Sequence, residues 1–284
     1  MIHKIKIVLA LISTCILFGT CVSTHKTSGN DLNFEDRYAL VIGNSDYINL
    51  TRLQNAKNDA GAVSRELEKL GFEVVTHFDL TSSQMNSVIE VFTDNLANNK
   101  RAIGLVYFAG QGVAINNLNY LIPVDLNAIN STGIISQSYS LETLFSKLLE
   151  SNNDLNFVIM DTCFVPMTLP LAENYIHRGI TSFPEIDQSN QPMINDGLDI
   201  LEQFTNDIFY LQSALPGQIA LDGSSNGNSP FTVALLNNIS RPIAFVDLVN
   251  DIAADTMALT NRRQHPYFKA NIFGFRNFVL YSNI

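Results

Sequence analysis

The chain is poor in cysteine, and the three cysteines it has are unevenly placed. Cys15 and Cys21 lie near the N-terminus, which leaves Cys163 alone in the rest of the 284 residues. If the N-terminal segment is removed, Cys163 has no partner with which to form an intramolecular disulfide. Cys163 is therefore either an inert buried residue or a thiol that the protein uses chemically.

Positive charge is also scarce. The sequence has 17 Lys and Arg against 27 Asp and Glu, a formal net charge of −10 at pH 7. A chain of this sign repels phosphate backbones, so we expect no nucleic-acid partner. The sequence also lacks pairs of histidines or acids at the spacing of metal ligands, so we expect no metal and no other cofactor.

Long hydrophobic runs are absent. The longest near the N-terminus, from Ile7 to Phe18, is too short to span a bilayer comfortably. It follows Lys4 and Lys6 and ends in small or polar residues, which is the pattern of a secretory signal. We predict a signal peptide at residues 1–23 and an exported protein, periplasmic or extracellular. The alternatives are an uncleaved membrane anchor and a lipoprotein signal at Cys21, which fits that pattern imperfectly.

The remaining sequence has the composition of a folded protein. Only 15% of the residues are charged and 46% are hydrophobic, which is too apolar for a disordered chain. Without the N-terminal segment, about 250 residues remain, enough for one large α/β domain or two small ones, and we favour one. No internal repeat and no low-complexity tract divides them.

Short apolar runs alternate with amphipathic segments after a polar linker at residues 24–36. The pattern predicts strands at 38–42, 72–78, 102–108, 155–160, 208–212 and 273–281, and helices at 59–70, 82–96, 141–149, 230–238 and 245–259. Alternation of this kind predicts an α/β fold with a mostly parallel sheet of about six strands and helices on both faces. Prolines interrupt residues 164–205, which we expect to be a long loop.

Two of the predicted strands end in residues that suggest chemistry. One continues into Ala109-Gly-Gln-Gly-Val113, and the next into Asp161-Thr-Cys163. Ligands and reactive groups of open α/β sheets lie at the carboxyl ends of the strands. Glycines on both sides of Gln111 allow a sharp turn with exposed amides, as an oxyanion site requires. From the residues alone, two ordinary turns, one with a buried cysteine, remain an equal alternative.

Seven segments, taken together, carry a resemblance to a known family. They are residues 38–47, 53–60, 107–113, 119–125, 159–163, 216–223 and 228–232. In this order they resemble the caspase-like superfamily, most closely its bacterial metacaspase-type branch. The resemblance implies a caspase-like fold over residues 37–284, with 37–163 similar to the large subunit, 164–205 a loop region and 206–284 similar to the small subunit.

The resemblance also implies roles for individual residues. The family uses a Cys-His dyad, in which the thiol attacks the peptide carbonyl and the imidazole transfers protons. Cys163 matches the nucleophile, and Gly112 matches a backbone amide that stabilises the oxyanion. Asp161, and more weakly Asp222, match acidic residues of the pocket that favours Arg or Lys before the scissile bond. The caspase histidine lies about 50 residues before the cysteine, and here that position is Gln111.

Gln111 is a departure with chemical consequences. A carboxamide forms hydrogen bonds but has no useful basicity near neutral pH. An unassisted thiol with a pKa of about 8.5 is only a few per cent thiolate at pH 7, and general acid–base catalysis typically contributes about 10²–10⁴ in rate. We therefore expect peptidase activity to be severely reduced or absent.

Two features of the remaining sequence bear on this expectation. The histidines outside the signal are His25, His77, His177 and His265, of which His177 lies in the long loop after Cys163 and could approach the site. In the same loop, Arg178 and the glycine after it resemble a site at which active family members cleave themselves.

Three functional hypotheses follow. The first is a pseudo-peptidase that binds basic peptides or a protein partner through an intact pocket. The second is a working cysteine endopeptidase with an unusual dyad that cleaves after Arg or Lys. The third is a non-catalytic interaction scaffold whose pocket is vestigial. In each case, the partner is a peptide or protein, a membrane is contacted only through the N-terminal segment, and the oligomeric state stays open.

Overall fold

The structure, a computed structural model, describes residues 36–128, 130–165, 178, 207–271 and 278–281. The predicted signal peptide, nearly all of the predicted linker and most of the predicted loop at 164–205 lie outside these residues. No helix among the described residues is long and apolar enough to cross a membrane.

Fifteen elements follow one another along the described part of the chain. The strands are β1 (Arg37–Gly43), β2 (Glu73–Phe78), β3 (Ile103–Ala109), β4 (Gly112–Ile115), β5 (Leu118–Leu121), β6 (Tyr139–Ser140), β7 (Leu155–Asp161), β8 (Asp207–Gln212) and β9 (Tyr267–Asn271). The helices are α1 (Ala56–Lys69), α2 (Ser82–Asn98), α3 (Ser131–Gln137), α4 (Leu141–Glu150), α5 (Pro230–Asn238) and α6 (Phe245–Leu259).

The central sheet has six strands in the order β2-β1-β3-β7-β8-β9. All neighbours are parallel except β8 and β9. Gly43, Ala109 and Asp161 lie side by side at the last register position of β1, β3 and β7. The chain segments that follow these three strands therefore begin at one edge of the sheet. The predicted mostly parallel α/β sheet of about six strands is confirmed.

Helices pack on both faces of this sheet. Phe157 of β7 belongs to the core shared with α1, α5 and α6, whereas its neighbour Val158 belongs to the core shared with α2 and α4. A strand buried on both faces has no polar alternation, which is why Leu155–Asp161 appears in the sequence as a nearly continuous apolar run. Such strands hold the residues at their ends rigidly, because each buried large side chain contributes about 1.5–3 kcal/mol.

The sixth strand of the sheet differs from the one predicted. We predicted a strand at 273–281, but β9 is at Tyr267–Asn271. Residues 272–277 lie outside the described part, and Val279 forms one isolated bridge with Ala244. The segment Tyr267–Asn271 pairs with a single strand at the sheet edge, and residues 267–270 are half-buried, so it carries no continuous apolar run.

A small second sheet of β4, β5 and β6, together with α3, was not predicted. Its strands are only two to four residues long, too short to give a periodic pattern. β4 and β5 are joined by Asn116 and Asn117, both at positive φ, as a tight two-residue hairpin turn requires. This sheet begins at Gly112, so it fixes the chain immediately after the end of β3.

Candidate active site

Cys163 lies two residues beyond the end of β7, and its side chain is completely buried. It packs in a small cluster with Val165, Ala214 and Ala220. Burial raises the pKa of the Cys163 thiol to about 12, although a hydrogen bond from the Ala220 backbone and the charge of Arg178 oppose this shift. In this arrangement, the thiol is protonated at neutral pH.

Gln111 lies just beyond the end of β3 and is only 3% exposed. Its Nε2 donates to the carbonyl of Thr51 at 2.6 Å, and its backbone N–H donates to Tyr47 Oη at 2.7 Å. Its own carbonyl accepts from the N–H of Ile122 at 3.1 Å, beside the small sheet. The side chain is therefore held in a fixed position against the loop after β1.

Three donors converge on a single carbonyl, that of Arg178. The backbone N–H groups of Gly112 and Cys163 donate to it at 3.3 and 3.1 Å, and Thr162 Oγ1 donates at 3.1 Å. Two preorganised amides directed at one carbonyl oxygen form the arrangement that stabilises negative charge on that oxygen. A Cβ at Gly112 would lie 2.7 Å from Thr162 Oγ1 and 2.8 Å from the Phe164 ring, so glycine is required there.

The guanidinium of Arg178 is completely buried and surrounded by three carboxylates. Its Nε and Nη2 bind Asp222 Oδ1 at 3.1 and 3.0 Å. Nη1 lies 2.7 Å from Asp161 Oδ2 and donates to the Asp161 carbonyl at 3.1 Å. Nη2 also binds Asp59. The two acidic residues predicted for a basic-side-chain pocket thus contact the same guanidinium.

Asp59 is the pocket residue that our sequence reasoning did not identify. It lies on the buried side of α1, with Ala56 and Ala60, and its Oδ1 accepts hydrogen bonds from Asn228 Nδ2 at 2.8 Å and the Ser229 N–H at 3.0 Å. The sequence did contain a signal for it, because a carboxylate on the apolar face of an amphipathic helix indicates a buried charge that needs a partner. Burial raises its pKa to about 6, although the charge of Arg178 lowers it.

The start of α5 holds Asp161 in place. Ser229 Oγ and Thr232 Oγ1 donate to Asp161 Oδ2 at 2.5 and 2.8 Å. Ser229 is also the N-cap of α5, because its Oγ accepts the N–H of Thr232.

One side chain just before α1 and one just after α6 fix the segment that carries Asp222. Asn55, at the start of α1, donates from Nδ2 to the carbonyls of Asp222 and Ser224 at 2.6 and 2.8 Å. Gln264 accepts the N–H of Leu221 at 3.0 Å and donates to the Ser213 carbonyl at 2.8 Å. These bonds give the third carboxylate a fixed position opposite the other two.

Two of the four histidines outside the predicted signal, His77 and His265, lie among the described residues. His77 is in β2, which is separated from β7 by β1 and β3 and so lies about 14 Å from it at the usual strand spacing. His265 lies between α6 and β9. His25 and His177 lie outside the described residues, so the approach of His177 to the site stays a prediction.

Comparison with known proteins agrees with the fold. The family model of the caspase domain matches residues 36–274. The human mucosa-associated lymphoid tissue lymphoma translocation protein 1 and its mouse homologue are each 28% identical over 130 residues. Those residues are 45% of this chain but 15% of either relative's length. The crystal structure of protein GSU0716 from Geobacter sulfurreducens has a TM-score of 0.59 at 14% identity, covering 85% of this chain and 97% of that one. Since the family model spans most of the sequence, the chain belongs to the caspase-domain family of peptidases.

Proposed function

We propose that this caspase domain binds peptide or protein chains through an arginine side chain, and that its cysteine peptidase activity is impaired. The observation that supports the proposal is the position of Arg178. Its guanidinium is enclosed by Asp59, Asp161 and Asp222, while its carbonyl accepts from the amides of Gly112 and Cys163. One arginine thus contacts both a charge-selective pocket and a carbonyl-binding site.

The pocket favours a guanidinium for electrostatic reasons. Buried carboxylates are costly unless they are paired with positive charge, so three of them in one place favour a cationic ligand. All three nitrogens of the Arg178 guanidinium contact acidic residues. The ammonium of a lysine carries all its donors on one nitrogen, so it cannot contact the three carboxylates from three separate atoms. We therefore propose that arginine binds more tightly than lysine.

The catalytic proposal rests on what surrounds the thiol. Cys163 would be the nucleophile, and the Gly112 and Cys163 amides would stabilise the oxyanion. At the position of the family's histidine, the Gln111 carboxamide can neither accept the thiol proton nor protonate the departing amine. The two amides around one carbonyl favour slow residual cleavage after arginine as the second candidate function. The intact bonds around Asp161 and Asp222 argue against a vestigial pocket.

A pair of matched peptides tests arginine recognition. The full-length chain and its Arg178→Ala variant, whose pocket holds no guanidinium of its own, are titrated into a fluorescently labelled peptide that ends in arginine amide. Both are also titrated into the same peptide with citrulline, which has the same shape but no charge. We expect about tenfold or greater preference for arginine, because an uncharged group leaves buried carboxylates unpaired. Fluorescence anisotropy measures both affinities.

The control for this titration is a change of charge away from the pocket. Glu150→Gln alters an exposed residue at the end of α4 and should leave both affinities unchanged. Equal affinity of the Arg178→Ala variant for the arginine and citrulline peptides would contradict the proposed recognition, and so would a large effect of Glu150→Gln.

Arginine binding should also depend on pH. The pKa of Asp59 is raised by burial and lowered by a guanidinium in the pocket, and with Arg178 bound it is about 6. The lowering by the guanidinium is lost when the pocket is empty, so we expect binding of a guanidinium to favour release of a proton from Asp59. Affinity for the arginine peptide should consequently fall as the pH is lowered toward about 6, and it should level off below that pH, where Asp59 is protonated with or without the ligand. Repeating the anisotropy titration between pH 5 and 8 with Arg178→Ala, whose pocket holds no guanidinium of its own, checks this, and an affinity that rises on acidification would contradict it.

A further inference from the structure

We infer that Arg178 is a resident ligand of this site: the chain occupies its own arginine pocket and covers Cys163, so that another peptide binds, or the thiol reacts, only after Arg178 leaves. The inference rests on the proposed function of the pocket but adds to it a self-blocked state.

The main chain of Arg178 distinguishes it from an ordinary buried arginine. A structural ion pair requires only the side chain, yet here the backbone is bound as well. The Arg178 N–H donates to the Ala220 carbonyl at 3.0 Å, and its carbonyl accepts from the Gly112 and Cys163 amides. Backbone pairing combined with a side-chain pocket is the way proteins bind an extended peptide.

Geometry makes this occupancy exclusive. The guanidinium is completely buried, and each of the three carboxylates already binds it. A second guanidinium therefore has no place until the first one leaves. A ligand tethered in the same chain competes at an effective concentration on the order of millimolar. The apparent affinity for an added peptide is reduced by the fraction of molecules in which the pocket is open.

Arg178 also accounts for the burial of the thiol. Its backbone bridges Ala220 and Cys163, because it donates to the carbonyl of the first and accepts from the amide of the second. The Ala220 amide in turn hydrogen-bonds the Cys163 sulfur. Departure of Arg178 removes one side of this enclosure and exposes the sulfur to small reagents.

Alkylation of Cys163 tests the blocked state. The full-length chain, its Arg178→Ala variant and its Arg178→Lys variant are treated with iodoacetamide, and modification at Cys163 is followed by peptide mass spectrometry. We expect Arg178→Ala to react about tenfold faster than wild type or more, as expected when a protecting local contact is removed. Arg178→Lys, which keeps a cation among the three carboxylates, should react at an intermediate rate. The arginine peptide should slow alkylation of the faster variants, and the citrulline peptide should not.

The possible results separate this inference from the proposed function. If Cys163 of the folded variants reacts no faster than that of wild type, the resident-ligand inference is overturned, whatever the peptides do. If the variants react faster but the arginine peptide gives no protection, Arg178 does cover the thiol, and recognition of arginine in other chains is wrong. Thermal unfolding shows which variants are folded, and Arg178→Lys decides the question if Arg178→Ala is not.

Discussion

Replacing Gln111 with histidine is expected to raise the rate of cleavage after arginine by about 10²–10⁴-fold, the usual contribution of a positioned general acid–base. The local structure suits the change. Gln111 Nε2 already donates to the Thr51 carbonyl at 2.6 Å. An imidazole that donates one N–H to the same carbonyl would be oriented by it, leaving its second nitrogen to accept the thiol proton.

Two readouts measure the gain. One is turnover of fluorogenic peptides ending in Arg, Lys or Asp, and the other is cleavage of the chain itself after Arg178, whose carbonyl already lies between the two amides. Gln111→Asn is the matched control, because it alters the same side chain without supplying a base. Cys163→Ala in the histidine variant should abolish both readouts.

Two outcomes would contradict the expectation. Turnover by wild type that disappears in Cys163→Ala would show that Gln111 does not impair the site, and His177 would be the next residue to mutate. If a folded Gln111→His variant neither turns over the peptides nor cleaves itself, the site lacks more than its base.

Replacing Arg178 with alanine is expected to lower the free energy of unfolding by about 3–5 kcal/mol, because removal of one partner leaves buried charges uncompensated. Three carboxylates lose their counter-ion at once. Chemical denaturation of wild type and variant measures the loss. Asp59→Asn in the Arg178→Ala background should restore part of it, since one of the unpaired charges is then removed.

An exposed ion pair supplies the control. Arg241 binds Asp251, and both side chains are about half exposed, at 47% and 45%. Arg241→Ala should therefore cost no more than about 1 kcal/mol. Equal losses at Arg178 and Arg241 would show that the three-carboxylate cluster does not stabilise the fold through Arg178.

The sequence predicted best those parts of the molecule in which local pattern and tertiary environment agree. Strand β7 was predicted to within one residue, because burial on both faces leaves a continuous apolar run. Strands β3 and β7 end at the same register position, which brings the segments of Gln111 and Cys163 together, as expected for parallel neighbours. At the sheet edge, β9 has no continuous apolar run, and we did not predict it.

The contacts of the pocket were harder to predict because they join distant parts of the chain. Periodicity placed Asp59 in a helix but could not show which charges it faces across the fold. Arg178 lies in a segment without any periodic pattern, and nothing local indicates that it lies against Cys163. Asp161 and Asp222 were identified only through family resemblance, and the guanidinium between them came from the structure.

Asn55 links the stability of the N-terminal end of α1 to the geometry of the arginine pocket. It occupies the N-cap position of α1 without capping the helix, because its side chain binds the carbonyls of Asp222 and Ser224 and accepts the N–H of Gly227. The first turns of α1, which also carry Asp59, and the segment with Asp222 therefore form one cooperative unit. Fraying of this helix end would spread two of the three carboxylates, so selectivity for arginine depends on local helix stability as much as on charge.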